Sequence, residues 1–332
     1  MVKKHAKNIL IQSAKVVFSA GIIYWLVQSG KLNFSALKNF LSPGVAALGL
    51  GLILTNLFFV SERWRILIRS QGLPAHVFPV FKLSLIGSFF NFAMPGGVGG
   101  DVIKAFYFTR DNPGSKVVAV TSVLMDRILG LFAMIIMALT VMLWDIQHIV
   151  KTPALLTLFW FILSLFIVFC VALALIFSPY LYKREILKRV ILKLPLSEKF
   201  MKLYESVHLY GKDGKRFFAV IIISLIAQVG TILFLYLAGN LAGFSEVPLN
   251  TYFLVAPLGF MATAIPISPA GVGVGQAAFY FLFNIYLGEQ TEIGPTIITA
   301  LQVGMFLISL SGAFFYLRRG DRTKASDIEQ LA

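Results

Sequence analysis

Asp101 and Lys104 stand at the end of a glycine-rich run, Asn91-Phe92-Ala93-Met94-Pro95-Gly96-Gly97-Val98-Gly99-Gly100. Asp126 and Arg127 interrupt an otherwise apolar stretch. Glycine lets backbone approach a ligand closely, and successive N–H groups can form an anion-binding nest. A half-helix beginning near Asp101 would add the positive potential of its N-terminus, with Lys104 one turn inside it. The run is not a Walker-type phosphate loop, since G-x-x-x-x-G-K-[ST] is absent. A plainer reading stays open beside this one: a glycine-packed helix break, capped by Asp101, with Lys104 snorkelling. Counted from Lys116 at 1.5 Å per residue, Asp126 lies about 15 Å along its helix. Ionisable groups at such a depth are costly, face the bundle interior and mark functional sites, or else pair to hold helices together. Neighbouring residues point about 100° apart, so the two need different partners. Lys104 is the candidate for Asp126, and Asp101 for Arg127.

A second broken stretch, Pro266-Ile267-Ser268-Pro269-Ala270-Gly271-Val272-Gly273, resembles the first. Pro95-Gly96-Gly97-Val98-Gly99 aligns with Pro269-Ala270-Gly271-Val272-Gly273, and Ala105-Phe106-Tyr107-Phe108 recurs as Ala278-Phe279-Tyr280-Phe281. The candidate substrate-binding set is therefore Asn91, Pro95, Gly96, Gly97, Gly99, Gly100, Asp101, Lys104, Asp126 and Arg127, joined by Pro269, Gly271, Gly273 and Gln276. No G-x-S-x-G or H-E-x-x-H is present, so catalysis is not expected. His5, His76, His148 and His208 lack ligand spacing, and Cys170 is the sole cysteine. No metal, cofactor or intrachain disulfide is expected.

These residues sit in a chain of 332 residues that is 58% hydrophobic and 13% charged. Soluble domains run at about 25% charged, so an ordinary soluble enzyme is excluded. The apolar runs are continuous and not alternating, which excludes an outer-membrane barrel. Lys and Arg outnumber Asp and Glu by 29 to 15, a net charge of +14. With no nucleic-acid motif alongside, that excess reads as cytoplasmic loop charge and not as nucleic-acid binding.

A spanning helix needs about 20 mostly apolar residues. Six candidates follow: Asn8–Gln28, Pro43–Val60, Val117–Trp144, Leu155–Phe177, Phe217–Leu241 and Ile293–Leu317. The first carries Lys15 and no convincing cleavage site, so it reads as a retained helix and not a signal peptide. The second continues into a basic Arg63-Trp64-Arg65 turn. Phe78–Phe108 and Thr251–Leu287 are broken by proline and glycine, and each reads as two short helices. The basic segments place both termini, the 181–216 connector and the 318–332 tail in the cytoplasm. Phe78–Phe108 then starts and ends inside, and Thr251–Leu287 starts and ends outside. The expected fold is an all-α polytopic membrane protein, a single transmembrane domain over 1–332. It has six full transmembrane helices and two re-entrant helical hairpins, in an inverted repeat over 43–144 and 217–317. Such broken-helix repeats belong to transporters. In the connector, Leu187, Ile191 and Leu194 oppose Lys188, Arg189 and Lys193, the pattern of a helix on anionic lipid.

Asn91 with Pro95–Asp101, the Asp126-Arg127-x-x-Gly130 run and Ser268–Gly273 resemble the lysylphosphatidylglycerol synthase transmembrane family. That family includes the flippase half of the bacterial multiple peptide resistance factor. The resemblance covers nearly the whole chain and implies an integral-membrane lipid flippase, or a related envelope-lipid protein, of a prokaryotic cytoplasmic membrane. The soluble aminoacyl-transferase part has no counterpart here, so lysyl transfer is not expected. Family members often carry Glu where Gln276 stands, which weakens a proton-coupling role at that position.

The expected function is movement of an anionic phospholipid or polyprenyl-phosphate-linked lipid between leaflets. Backbone N–H groups, Lys104 and Arg127 would hold the phosphate, while Asp101 and Asp126 keep the empty site near neutral or take a proton. The partner is thus a membrane lipid with a phosphate headgroup; a second copy of the chain or a lipid-modifying enzyme would be the protein partner. The rivals are a membrane enzyme or accessory acting on a lipid-linked precursor, and a small-solute transporter.

Overall fold

The structure is a computed structural model, and it describes residues 42–94, 99–183, 197–265 and 268–319, with isolated positions 21, 24, 28 and 192. The candidate span Asn8–Gln28, the loop residues Pro95, Gly96, Gly97 and Val98, and the amphipathic part of the basic connector fall largely or wholly outside the described residues.

The described residues are mostly helical, with turns and short loops between the helices and no strand among them. Among the described residues five helices are long and apolar enough to cross a membrane: α1 (Pro43–Ser70), α4 (Lys116–Trp144), α6 (Pro153–Phe177), α9 (Gly214–Leu241) and α12 (Ile293–Arg318). Between them lie the shorter α2 (Val77–Ala93) and α3 (Gly99–Asp111), α5 (Ile146–Lys151), α7 (Pro179–Lys183), α8 (Ser197–Tyr210), α10 (Leu249–Thr263) and α11 (Val274–Leu287). This is a polytopic helical membrane protein. Proline opens α1 and α6 in their first turns, where a missing N–H costs nothing. Asp213 caps α9 by accepting from the Arg216 N–H at 3.1 Å. Gly288 ends α11 at φ +74°, a left-handed conformation that glycine reaches freely.

One boundary differs from the sequence reading. Arg63-Trp64-Arg65 is not a turn, because α1 stays helical to Ser70 with Arg63 and Trp64 buried. Falling hydropathy marks where an isolated helix would leave hydrocarbon. It does not end a helix whose charges find partners inside the protein.

Each broken stretch folds as two helices lying side by side. α2 and α3 touch so closely that a Cβ on Gly100 would overlap the Gly87 carbonyl oxygen. α10 and α11 meet where Gly259 faces the Phe279 ring. α12 runs past both pairs. Its start packs on α11, with Gly294 against the Phe279 backbone, and its end packs on α2, with Gly312 against the Leu85 carbonyl. Phe92 meets Phe306 at 5.6 Å and Phe90 meets Tyr316 at 5.0 Å between ring centroids. The two pairs therefore occupy opposite halves of a helix about 39 Å long. Their broken ends meet near its middle, where Gln302 reaches the Ala270 carbonyl at 3.5 Å and α2 packs on the Pro269–Gly271 turn.

α8 is held against the bundle by polar contacts. Gln71 donates to the Ser206 carbonyl at 2.6 Å and accepts from the Ser206 hydroxyl at 3.0 Å, and Ser206 meets Thr121 at 2.8 Å. Burial pushes the Tyr210 phenol, at the end of α8, well above its ordinary value, so it stays neutral there.

Candidate functional site

α4 presents Asp126 and Arg127 in two directions, and each joins a different helix. Arg63 on α1 donates through Nε to Asp126 Oδ1 at 2.7 Å and through Nη1 to Ser224 Oγ of α9 at 3.3 Å. The two side chains are 10% and 7% exposed. Gly130, one turn beyond Asp126, makes room for the guanidinium: a Cβ there would lie 2.9 Å from Arg63 Nη1. Asp126 is thus paired with Arg63, and the expected partner Lys104 is corrected. Three helices converge on this pair, and α1 supplies the cation that the sequence reading assigned to a turn.

The second pair forms as expected. Arg127 donates from Nε to the Asp101 carboxylate. Lys104 lies 3.9 Å from the other Asp101 oxygen and 4.6 Å from the centroid of the Trp64 ring, a cation–π distance. The Trp64 indole N–H donates to Ser122 Oγ at 3.1 Å, which fixes the ring beneath the ammonium. Gly87 lets the lysine stem pass: a Cβ there would fall 2.7 Å from Lys104 Cγ. Asp101 occupies the first turn of α3, where a carboxylate complements the helix dipole, and is not the capping residue. The capping contact at this end comes from α2, since Asn91 Oδ1 accepts the Gly100 N–H at 3.0 Å. Gly99 and Gly100 are buried at the α2–α3 contact.

The second loop is spent on its own backbone. Ala270, Gly271 and Gly273 have positive φ of 48°, 73° and 85°. Gln276 accepts the Gly273 N–H at 2.7 Å and donates to Thr299 Oγ1 at 3.1 Å and Gln302 Oε1 at 2.7 Å. With 1% of its surface exposed, its amide is engaged within the protein. Pro269 opens a 3-10 turn that ends at Gly271. Gln276→Leu should destabilise the protein by about 1–3 kcal/mol, since it strands a buried N–H and both α12 partners. A thermal midpoint in detergent measures this, and an unchanged midpoint would remove the network from the fold's support.

A family model described as the lysylphosphatidylglycerol synthase TM region matches residues 12–312. The chain belongs to this family. No curated protein and no solved structure matches it. In this member of the family the charged cluster joins α1, α3, α4 and α9. Among the described residues it brings the cations Arg63, Lys104 and Arg127 together with the carboxylates Asp101 and Asp126. Arg63, Trp64, Ser122 and Ser224 escaped the sequence reading. The one available signal was Gly130, four residues after Asp126 and so on the same helix face. A cavity of about 330 Å³ between α4 and α10, lined by Thr140, Val141, Trp144, Leu249, Asn250 and Phe253, is apolar and away from these charges.

Proposed function

We propose that this protein moves an anionic phospholipid, or a polyprenyl-phosphate-linked lipid, between membrane leaflets without altering it chemically. The observation that carries the reading is the gathering of Asp101, Lys104 and Arg127 from α3 and α4 beside a glycine-rich break. Ionisable groups gathered at membrane depth mark the paths of polar substrates. The family's lipid connection supplies the class of anion.

In this reading the α2–α3 and α10–α11 pairs re-enter the bilayer from opposite faces as an inverted repeat. Their packing on opposite halves of α12 supports that arrangement. The ends rich in Arg65, Arg69, Arg110, Lys116, Lys212, Lys215, Arg216, Arg318 and Arg319 would face the cytoplasm, with both termini. The phosphate would sit where the broken helices leave backbone donors and cations together, near the middle of the bilayer.

Reconstitution tests this. Vesicles holding the purified chain should exchange fluorophore-labelled phosphatidylglycerol between leaflets several-fold faster than labelled phosphatidylcholine. Exchange of every lipid in the panel at the rate of protein-free vesicles would overturn the reading.

A further inference from the structure

The helices that follow the two breaks, α3 and α11, carry the matching tetrapeptides Ala105–Phe108 and Ala278–Phe281, and each precedes a spanning helix, α4 or α12. Each is tied at its far end to the spanning helix of the other half. Arg319, at the end of α12, donates from Nη2 to the Asp111 carboxylate at the end of α3, and its guanidinium lies 4.5 Å from the centroid of the Tyr107 ring. At the end of α11 the Tyr286 hydroxyl donates at 2.5 Å to Oδ2 of Asp145, the residue that closes α4. His148 on α5 donates from Nε2 to the Tyr286 carbonyl at 3.0 Å, with the two rings edge to face at 4.9 Å. Elsewhere the backbones of α3 and α12, and of α11 and α4, approach only slightly, so the direct connection rests on side chains at these ends.

α4 sets the distance between the two ties. Asp111 lies just before its start and Asp145 just after its end, and its 29 residues extend about 43 Å, against about 30 Å of hydrocarbon. The ties therefore sit at opposite membrane faces. They also differ in kind. The Arg319 and Asp111 side chains are 24% and 42% exposed, and an ion pair so placed is weakened by water and salt. Tyr286 is buried, and its bond to a carboxylate is charge-assisted.

We infer that the two ties are latches that close the broken helix pairs at either face, an inference that rests on the inverted-repeat transport reading. Both are shut in this structure, which is then the occluded arrangement. Opening the Arg319–Asp111 latch frees the end of α3 and admits water to the broken ends from the cytoplasmic face. Opening the Tyr286–Asp145 latch frees the end of α11 and admits water from the outer face. Because each latch joins one repeat to the other, rocking of the repeats can open one and leave the other shut. The exposed cytoplasmic latch is the weaker and opens first.

The test is the sidedness of thiol labelling. The reporter is Ser268→Cys in a Cys170→Ser chain; Ser268 is 2% exposed, its hydroxyl has no hydrogen-bond partner, and it immediately precedes the Pro269–Gly271 turn. A charged thiol reagent that does not cross membranes is applied to intact cells or to inside-out vesicles. Asp111→Asn should speed labelling several-fold from the cytoplasmic face only, and Tyr286→Phe several-fold from the outer face only. Arg319→Gln and Asp145→Ala, on the other side of each latch, should behave as their partners do and decide the matter if a first variant does not fold. Faster labelling from the opposite face, from both faces or from neither would overturn the latches. The readout uses no lipid, so sided labelling without lipid exchange would keep the latches and discard the flippase reading. Lipid exchange with unsided labelling would do the reverse.

Discussion

Asp126→Leu should destabilise the protein by about 3–5 kcal/mol, the cost of leaving one member of a buried ion pair without its partner. The stranded group is Arg63, 8% exposed, with Ser224 Oγ at 3.3 Å as a weak remaining contact. Adding Arg63→Met should recover most of the loss, because an apolar pair of similar volume avoids desolvating two charges. Arg63→Met alone should be as damaging as Asp126→Leu, since a lone carboxylate is equally poorly placed. Thermal midpoints of the three variants in one detergent form the measurement. If the double variant is no more stable than the worse single one, the pair is not what joins α1 to α4.

The contrast with Arg127 follows from helix geometry. Two adjacent residues diverge by about 100°, so one carboxylate and one guanidinium in sequence become an interior brace and a surface group in space. A buried brace can be exchanged for apolar packing, so rescue by a second substitution is expected for Asp126.

Much of the architecture was legible because membrane helices advertise themselves. α4, α6, α9 and α12 lie within a few residues of the runs chosen by hydropathy, and the two broken stretches break at their prolines and glycines. The Asp101–Arg127 pair was also legible, as two opposite charges of which neither could be left alone in an apolar chain. Arg63 was not. Hydropathy falls at Ser61-Glu62-Arg63, which looks like a helix leaving the bilayer, and only the tertiary position of Asp126 makes the charge affordable inside. The same blindness sent Lys104 to Asp126. A linear chain shows which charges need partners but not that α1 brings a nearer cation than α3. Gln276 failed in the other direction: a polar residue beside glycines looks like a ligand group, and in the structure its amide closes the turn that displays it. Gly87 is legible only after the fact, since its reason is the Lys104 stem passing over it, whereas Gly130 on the face of Asp126 was a signal that only the position of Arg63 explains.

Gly100→Ala should prise α2 from α3, and its expected cost is large for the addition of one methyl. The new Cβ would overlap the Gly87 carbonyl oxygen and lie 2.6 Å from Asn91 Oδ1, the atom that accepts the Gly100 N–H. The Gly87 carbonyl is backbone of α2, and Asn91 Oδ1 is tied to the Gly100 N–H, so the helices must separate and the capping bond must lengthen. Overpacking of this kind costs about 1–3 kcal/mol. Gly51→Ala is the matched control, since it lies inside α1 with nothing within 4 Å of the added Cβ. There the change should stabilise the chain by about 0.5–1 kcal/mol, because alanine loses less backbone freedom on folding. The two midpoints should therefore move in opposite directions. If both variants move the midpoint alike, the close approach of α2 to α3 is not what holds these two helices together.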